Sequence, residues 1–398
     1  MADRVIIAAA ARTPIGAMQG VLSGLQGHDL GSIAIRAVIE RAGIDPGRVG
    51  EVLMGCVLPA GQGQAPARQA AMHAGLPAAT GATTLNKVCG SGMKAVMLAH
   101  DLILAGSQDI VVAGGMESMS NAPYLLKRAR GGYRYGHDTV YDHMALDGLE
   151  DAYDRNARGG GRSMGEYAEE CADHFAFTRQ AQDDYAIESS RRARQANEDG
   201  SFDWETTAVT ITTRQGEQRI EHDESPFKVS AEKIPRLKPA FRADGTVTAA
   251  TSSSISDGAA ALLLMRESMA ATLGLTPIAA VVAHTTHAQA PQWFTTAPVG
   301  AITKLYDKTG WRSDTVDLFE INEAFAVVAM AAMREHGLAH DQVNVHGGAV
   351  ALGHPIGASG ARLLVTLLGA LRRRGGRRGV ASLCIGGGEA TAVALELC

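Results

Sequence analysis

The sequence predicts an α/β protein in which helices cover both faces of a sheet, and three observations support this fold class. Short continuous apolar runs, typical of buried strands, alternate with stretches whose apolar residues recur at helical spacing. The composition combines 46% hydrophobic residues and 46 glycines with 5% aromatic residues, which favours closely packed elements. The motif order of the first third also returns in the last third, and a chain of 398 residues can bury two or three domain cores.

The first part of the chain shows the alternation of strands and helices most clearly. An amphipathic helix at 29–42 places Leu30, Ile33 and Ala34 on one face and ends before Gly43, a residue typical of helix C-caps. The predicted elements of this part are a strand at 4–11, the helix at 29–42, a strand at 49–58, a helix at 65–74, a helix at 93–104 and a strand at 110–113.

The middle of the chain, residues 120–250, is richer in charged and polar residues than the parts on either side. Helical patterns occur there at 163–175 and 179–197, and compact apolar strands return at 258–265. The predicted domains are an N-terminal half at 1–119 that is completed by 251–275, an inserted loop domain at 120–250, and a C-terminal half at 276–398.

The chain contains a weak internal duplication. A turn with glycines, an apolar helix, an apolar strand, a further run of glycines and a glutamate follow one another twice. The first copy covers residues 90–117 and the second covers residues 357–389. Such a repeat predicts two similarly folded halves.

Charge and cysteine usage exclude several classes of protein. The chain has 37 basic and 42 acidic residues, a net charge of −5, and no basic stripe that would favour nucleic acid. No apolar run reaches the length of a membrane span, and the apolar start at 5–11 is too short for a signal peptide. The five cysteines are widely spaced and odd in number, which predicts neither a disulfide framework nor a zinc site. We expect a soluble cytoplasmic protein without a metal.

Cys89 is the first candidate nucleophile, because it stands just before an apolar helix with Gly90 and Gly92 between them. The glycines allow a sharp turn with unusual torsions, and unpaired N–H groups at a helix start favour a thiolate over a thiol. The alternative, a buried structural cysteine, stays open from this stretch alone. Residues 90–95 also match a dinucleotide fingerprint, but Asp109 precedes a strand where the fingerprint needs an acid at a strand end, so we exclude that site.

Three further residues add chemistry to this thiol. His354 is followed by Pro355, which restricts its backbone, within a glycine-rich segment. Cys384 ends an apolar strand, where a core cysteine is the alternative, and Asn322 follows the strand at 316–321, where helix capping is the alternative. A thiolate, a histidine base, a second thiol tuned near neutrality and an amide are a set that suits acyl transfer with proton movement at carbon.

With these motifs the sequence resembles the thiolase family along essentially its whole length. The matching segments are 86–93, 114–119, 322–326, 347–362 and 384–388. Because several motifs occur in the right order, chance agreement is negligible. The resemblance implies the thiolase fold, in which two duplicated α/β halves form a five-layered αβαβα core and a loop domain is inserted in the N-terminal half.

The resemblance also implies a role for each candidate residue. Cys89 would carry the acyl group, and His354 would activate it. Cys384 would remove the α-proton of the second acyl-CoA. One oxyanion hole would consist of His354 and of Asn322 acting through a bound water, and the other of the backbone N–H groups of Cys89 and Gly386.

Contacts with the pantetheine arm of coenzyme A follow from the same resemblance. The implied contact residues are Ser253, Met164, Ala324 and Phe325. The sequence departs from common family residues at Ser163, Thr251 and His346, where His, Asn and Asn are usual. The first departure weakens any inference about acyl-chain length. Basic partners for the coenzyme phosphates are expected among Arg214, Arg219, Lys228, Lys233, Arg236 and Lys238.

Residues 86–87 and 293–298 most resemble the thiolases that act on acetoacetyl-CoA. The implied reaction is a reversible ping-pong condensation of two acetyl-CoA molecules to acetoacetyl-CoA and CoA, with CoA thioesters as substrates and no permanently bound cofactor. The family also implies a homotetramer built as a dimer of dimers. The rivals are a 3-ketoacyl-CoA thiolase for longer chains, a decarboxylating synthase, which Cys384 argues against, and an inactive acyl-CoA-binding relative, which the complete set of chemical residues argues against.

Overall fold

The computed structural model describes residues 3–156, 160–214 and 216–398 of the chain. In order, the elements are β1 (Val5–Arg12), α1 (Gly27–Ala42), β2 (Glu51–Gly55), α2 (Pro66–His73), β3 (Gly81–Leu85), α3 (Ser91–Leu104), β4 (Ile110–Ser118), α4 (Met164–His174), α5 (Arg179–Glu198), β5 (Val209–Thr213), β6 (Gly216–Ile220), β7 (Ser256–Arg266), α6 (Glu267–Thr272), β8 (Ala279–Ala288), α7 (Ala297–Thr309), β9 (Leu318–Ile321), α8 (Ala326–His336), α9 (Ile356–Arg374), β10 (Arg378–Ile385) and β11 (Glu389–Leu397). Within the described ranges, no helix is both long and apolar enough to cross a membrane.

The two halves of the sheet repeat one topology. In the N-terminal half the strand order is β1-β7-β4-β2-β3, with β2 parallel to β3 and β4, and β7 antiparallel to β4 and β1. In the C-terminal half the order β8-β11-β10-β9 has the same directions, and a parallel bridge from Phe319 to Val343 marks the place that β3 takes in the first half. The halves join where β1 pairs with β8 at Ile6 and Ala280. The predicted duplication is therefore present in the backbone.

The helices form three layers around these two halves of the sheet. Apolar residues of α1 and α2 pack on one outer face, and those of α7 and α8 pack on the opposite outer face. Helices α3 and α9 lie between the halves, in a shared apolar cluster. Helix α9 is buried on all sides from Ile356 to Leu371, as expected for a helix in a central layer. The predicted α/β class and five-layered core are confirmed.

One predicted strand boundary differs from the structure for a steric reason. The strand predicted at 110–113 continues to Ser118, because Gly114 and Gly115 lie inside β4 and do not form a turn. A Cβ atom on Gly114 would meet Ala260 O at 2.0 Å, and one on Gly115 would meet Gly357 O at 2.0 Å. The glycines therefore let neighbouring backbones approach β4, and the strand continues through them where the apolar pattern ends at 113.

The predicted loop domain packs tightly on the rest of the protein. Hairpin β5–β6 contributes Val209 and Ile220 to the outer apolar layer of the N-terminal half, while α4 packs against the C-terminal half near Cys384. A buried ion pair joins Arg12 of β1 to this region, with 2.7 Å between Arg12 Nη1 and Asp223 Oδ1. The region therefore closes over the end of the central layer where α3 and α9 begin.

Candidate active site

The turn that carries Cys89 is held by its own hydrogen bonds. Val88 has φ +46°, a left-handed conformation that is rare for a β-branched residue. The Val88 N–H donates to Asn86 Oδ1 at 2.8 Å, and the Ser91 hydroxyl donates to Val88 O at 2.6 Å. Ser91 also accepts the Lys87 N–H at 2.8 Å. The surrounding contacts thus hold a strained residue immediately before the candidate nucleophile.

The two glycines after Cys89 serve close packing, which corrects the prediction of unusual torsions. Gly90 has φ −81°, and Gly92 lies within helix α3. A Cβ atom on Gly90 would meet Ile385 Cδ1 at 2.3 Å, and one on Gly92 would meet Ala361 N at 2.9 Å. The strain that the sequence assigns to the glycines is at Val88 instead.

Cys89 is a thiol and not a pre-formed thiolate in the resting site. Burial raises the pKa of the Cys89 thiol to about 11, although the backbone N–H groups of Gly386 and of Cys89 itself oppose this shift. The predicted direction, a pKa lowered by the start of α3, is therefore wrong, because loss of water outweighs the helix end. Attack by this sulfur requires a neighbouring base.

His354 is buried at the start of α9 and is the candidate for that base. Burial, helped by the charge of Arg362, lowers the pKa of His354 to about 3, so the imidazole is neutral. Its Nδ1 lies 2.6 Å from the Ser359 hydroxyl, which donates at 3.0 Å to Pro355 O. Since the Ser359 proton is used, His354 Nδ1 must donate, and Nε2 is left to accept a proton.

Asn322 lies behind this imidazole. It directly follows β9 and is fully buried, with its Nδ2 3.5 Å from His354 Nε2. The next residue, Glu323, accepts hydrogen bonds from the hydroxyls of Tyr185 and Ser189 at 2.8 Å each, and from the Val350 N–H at 3.1 Å. Glu323 therefore fixes both the Asn322 turn and the segment that leads to His354.

Cys384 is more deeply buried than Cys89. It lies near the end of β10 with 1% of its surface exposed. Burial raises its pKa well above the ordinary value for a thiol, and the neighbouring Cys89 thiol raises it further. The expectation of a thiol tuned near neutrality is wrong for the resting site. A high pKa makes the deprotonated sulfur a strong base, which removal of a proton from carbon requires.

These groups meet at a cavity of about 290 Å³ with mainly apolar walls. Cys89, His354, Cys384 and Gly386 line it. All four residues that the resemblance implies for pantetheine also line it, namely Ser253, Met164, Ala324 and Phe325. Ser253 is fixed there, because its hydroxyl donates to Ala324 O at 2.9 Å.

Several residues of this cavity escape sequence reasoning. Phe241, Ile255, Phe294 and Ile356 belong to its apolar walls. Phe294 and Ile356 lie within the segments that carry the resemblance, but a buried apolar residue has no pattern of its own that marks it as part of a site. Glu117 is also missed, although it ends the repeated glycine motif, which is the one signal for it. Its buried carboxylate accepts the N–H groups of Val57, Leu58 and Gly357, and burial raises its pKa to about 7.

The three departures from common family residues have different surroundings. Ser163 lines the cavity and forms a capping box at the start of α4. Thr251 is buried in a turn with Thr248. His346 lies in a second cleft, beside Arg373 and Arg374. The departure at Ser163 is therefore the one that touches the candidate site.

The six basic residues expected near the coenzyme phosphates are all exposed but fall in two places. Arg214 and Arg219 belong to or adjoin the hairpin that packs on the outer layer, and Lys228 pairs with Glu224. The other three, Lys233, Arg236 and Lys238, lie on the segment that leads to Phe241. Phe241 itself lines the cavity.

Two family models match the chain, "Thiolase, N-terminal domain" over residues 5–268 and "Thiolase, C-terminal domain" over residues 275–397. The chain belongs to the thiolase family. It is accordingly an acyltransferase.

Curated relatives of this thiolase match over nearly the full length. Acetyl-CoA acetyltransferase 2 of Arabidopsis thaliana is 51% identical over 99% of the chain and 97% of its own length. Acetyl-CoA acetyltransferase of Thiocystis violacea is 47% identical over 100% of both chains. A probable acetyl-CoA acyltransferase of Staphylococcus aureus is 45% identical over 99% of both.

Proposed function

We propose that this thiolase is an acetyl-CoA acetyltransferase, which condenses two acetyl-CoA molecules reversibly to acetoacetyl-CoA and CoA through an acetyl group on Cys89. The observation that carries the proposal is the convergence of Cys89, His354, Cys384 and Gly386 on one small apolar cavity. The names of the full-length relatives support the same substrate.

In the first half-reaction, Cys89 attacks the thioester carbon of acetyl-CoA. His354 Nε2 takes the thiol proton as the sulfur–carbon bond forms, since the Cys89 pKa of about 11 keeps the proton in place until then. The N–H groups of Cys89 and Gly386 stabilise the negative charge on the thioester oxygen. The carbon–sulfur bond to CoA then breaks, and the proton passes from His354 to the leaving CoA sulfur.

In the second half-reaction, His354 Nε2 takes the proton of the Cys384 thiol. The deprotonated Cys384 then takes the α-proton of a new acetyl-CoA, and the resulting enolate attacks the acetyl group on Cys89. The enolate oxygen is stabilised by His354 and, through a bound water, by Asn322. A water suits this place because Asn322 is fully buried behind the imidazole and its Oδ1 has no hydrogen-bond partner among the described residues. The bond between the acetyl carbon and the Cys89 sulfur breaks, His354 returns its Nε2 proton to that sulfur, and the new carbon–carbon bond remains in acetoacetyl-CoA.

Mass spectrometry after incubation with acetyl-CoA alone tests the nucleophile. We expect one acetyl group per chain, on the peptide that contains Cys89. A stable acetyl group only on Cys56, Cys171 or Cys398 would contradict the assignment.

The rival activity, a 3-ketoacyl-CoA thiolase for longer chains, is tested by initial rates of thiolysis over substrates of increasing length. The cavity is only about 290 Å³ and has aromatic rings of Phe241, Phe294 and Phe325 in its walls, which favours a short acyl group. We expect the highest kcat/KM for acetoacetyl-CoA. A kcat/KM that rises with chain length would support the rival.

The charges that hold the coenzyme phosphates are proposed to include Lys233, Arg236 and Lys238, on the segment beside Phe241. Their replacement by Gln should raise KM for CoA far more than it lowers kcat. Matched replacement of Arg214 and Arg219, on the distant hairpin, provides the control. Equal effects of the two sets, or no effect of either, would contradict this location.

The remaining expectations from the family are also proposals. They are a homotetramer in the cytoplasm, a role in lipid metabolism, and an inserted loop domain bounded at residues 120 and 250. Light scattering of the purified protein tests the tetramer, for which a monomer mass would be contradictory. Limited proteolysis tests the proposed domain boundaries.

A further inference from the structure

Two histidines and an aspartate meet on the outer helical layer of the N-terminal half, at the opposite face of that half-sheet from α3. His28 and Asp29 belong to the first turn of α1, and His73 is the last residue of α2. His28 Nδ1 lies 3.3 Å from Asp29 Oδ1, and His73 Nδ1 lies 3.8 Å from the same oxygen. The three ligand atoms all lie within 4.8 Å of one another.

The Asp29 carboxylate is fixed in a position that presents one oxygen to the imidazoles. Its Oδ2 accepts the Gln26 N–H at 3.0 Å, as part of the capping box that starts α1. Because the backbone occupies Oδ2, the other oxygen is held towards His28 and His73. The cap thus orients the Asp29 carboxylate and leaves Oδ1 free to bind an ion. Hydrogen bonds to metal ligands orient those ligands in the same way in known metal sites.

The His28 imidazole is incomplete as it stands. Its Nδ1 is buried and has no hydrogen-bond partner within the described part of the chain. The His28 side chain is 12% exposed, whereas that of His73 is 54% exposed. The two imidazole rings lie next to each other, with 5.6 Å between their centroids. A buried polar atom without a partner costs free energy, and an ion between the two rings would supply that partner.

The spacing suits a small divalent ion. Zn²⁺ bonds histidine nitrogen and carboxylate oxygen at roughly 2.0–2.2 Å, so two ligand atoms of one ion stand about 3–3.5 Å apart. The His28–Asp29 distance falls in this range, and the exposed His73 ring can rotate to shorten the second distance. Imidazole nitrogen with one carboxylate is a ligand set for Zn²⁺, Ni²⁺ or Cu²⁺ and not for Mg²⁺ or Ca²⁺.

We propose that His28, Asp29 and His73 form a binding site for a divalent transition-metal ion that clamps the start of α1 to the end of α2. Water completes the coordination on the exposed side. The charge of Asp29 offsets the positive end of α1 and the Arg36 guanidinium, which donates to His73 O. None of the three residues lines the acyl-transfer cavity, so the clamp stabilises the outer layer and takes no part in the chemistry.

A second group of the same composition, His100, Asp101 and His284, serves as an internal comparison. There Asp101 Oδ1 already lies at hydrogen-bond distance from both rings, 3.1 Å from His100 Nδ1 and 2.9 Å from His284 Nε2. Lys308 also donates to His284 O at 3.2 Å and brings a positive charge to that site. Its polar atoms have partners without an ion, in contrast to those of His28.

Calorimetric titration of the full-length protein with Ni²⁺ tests the site. Ni²⁺ is preferred to Zn²⁺ because the thiols of Cys89 and Cys384 are soft ligands that compete for zinc. We expect one ion per chain and a higher Tm in its presence. His28→Gln and His73→Gln should each weaken binding by more than the roughly 10–100-fold that loss of an outer-shell partner costs.

Controls keep the test decisive. His284→Gln removes the second group, and the binding of Ni²⁺ should persist in that variant. Asp29→Asn keeps an oxygen for the Gln26 N–H, so it should fold and still lose affinity. Circular dichroism checks that each variant is folded. Absence of binding, binding that survives His73→Gln, or binding that is lost in His284→Gln would each overturn the proposal.

Discussion

The two halves of the protein share a topology but supply different chemistry. Helix α3 begins just after Cys89, and its counterpart α9 begins just after His354. The two helix starts touch, since Gly92 stands within van der Waals reach of the Ala361 and Gly357 backbones. Duplication thus places the candidate nucleophile of one half against the candidate base of the other, a contact that neither half makes alone.

The two thiols differ in their surroundings, and the difference favours one of them as nucleophile. Two N–H groups, from Cys89 and Gly386, oppose the rise in the Cys89 pKa. Cys384 has its own N–H but is buried more deeply, and its pKa is raised further. The sulfur that is more accessible and surrounded by donors suits acyl transfer, whereas the less accessible sulfur suits proton transfer.

The largest expected effect comes from separating the two thiols. Cys384→Ser replaces the proton-moving thiol by a much weaker acid, and losing general acid–base help costs on the order of 10²–10⁴-fold in rate. This variant should still acetylate Cys89 but fail to condense or to exchange α-protons of acetyl-CoA with deuterated water. Cys89→Ser should lose acetylation itself. The assignment of separate roles to the two thiols would be contradicted if Cys384→Ser condensed acetyl-CoA at a near-normal rate. It would also be contradicted if the folded variant failed to acetylate Cys89.

Asn322→Ala should show the next largest effect. Removing one oxyanion donor typically costs about 10²–10³-fold in kcat. The rates of condensation and of α-proton exchange should fall. The rate of the first acetylation should change little, because the N–H groups of Cys89 and Gly386 that stabilise its oxyanion are still present. Rapid-quench measurement of the two half-reactions separates these steps. An equal loss in both steps would indicate a structural role for Asn322.

Gly90→Ala should reduce stability by overpacking the contact between the halves. The added methyl group would meet Ile385, which precedes Gly386, and overpacking of this kind costs typically about 1–3 kcal/mol. Gly24→Ala is the matched control, because no atom lies within 4 Å of the added methyl group. Urea denaturation compares the two variants. Equal free energies of unfolding would contradict the close-packing role of Gly90.

The smallest expected effect is on the acid side of the pH profile. Burial lowers the pKa of His354 to about 3, so the base stays neutral as pH falls from 8 to about 5, and no limb of kcat/KM should arise from it near 6.5. Two buried carboxyls protonate in this window, Glu117 with a pKa of about 7 and Glu320 with a pKa of about 8, and Glu117 lies closer to a limb near 6.5. If kcat/KM of the Glu117→Gln variant still falls with a pKa near 6.5, the assignment of a neutral His354 with a lowered pKa is contradicted.

The linear pattern was sufficient for the fold class and the duplication, and it selected the candidate residues that the structure brings to one cavity. Continuous apolar runs predict buried strands. Reactive side chains next to glycines indicate a functional site, because a structural role seldom requires that combination. Cys89, His354 and Cys384 could therefore be selected without coordinates. The same pattern assigned unusual torsions to Gly90 and Gly92 and ended the strand before Gly114 and Gly115, because a sequence does not state which backbones approach one another.

What only the tertiary structure decided is the environment of those residues. Helix-end reasoning predicts a thiolate at Cys89, but the pKa of a group depends on all the water that folding removes around it, including water displaced by the distant loop domain and C-terminal half. The Glu117 carboxylate, which accepts the N–H groups of Leu58 and Gly357, likewise joins separate elements. The contact of His28 with His73 joins two helices in the same way. Such contacts are set by packing in three dimensions, whereas periodicity reports only on neighbours along one element.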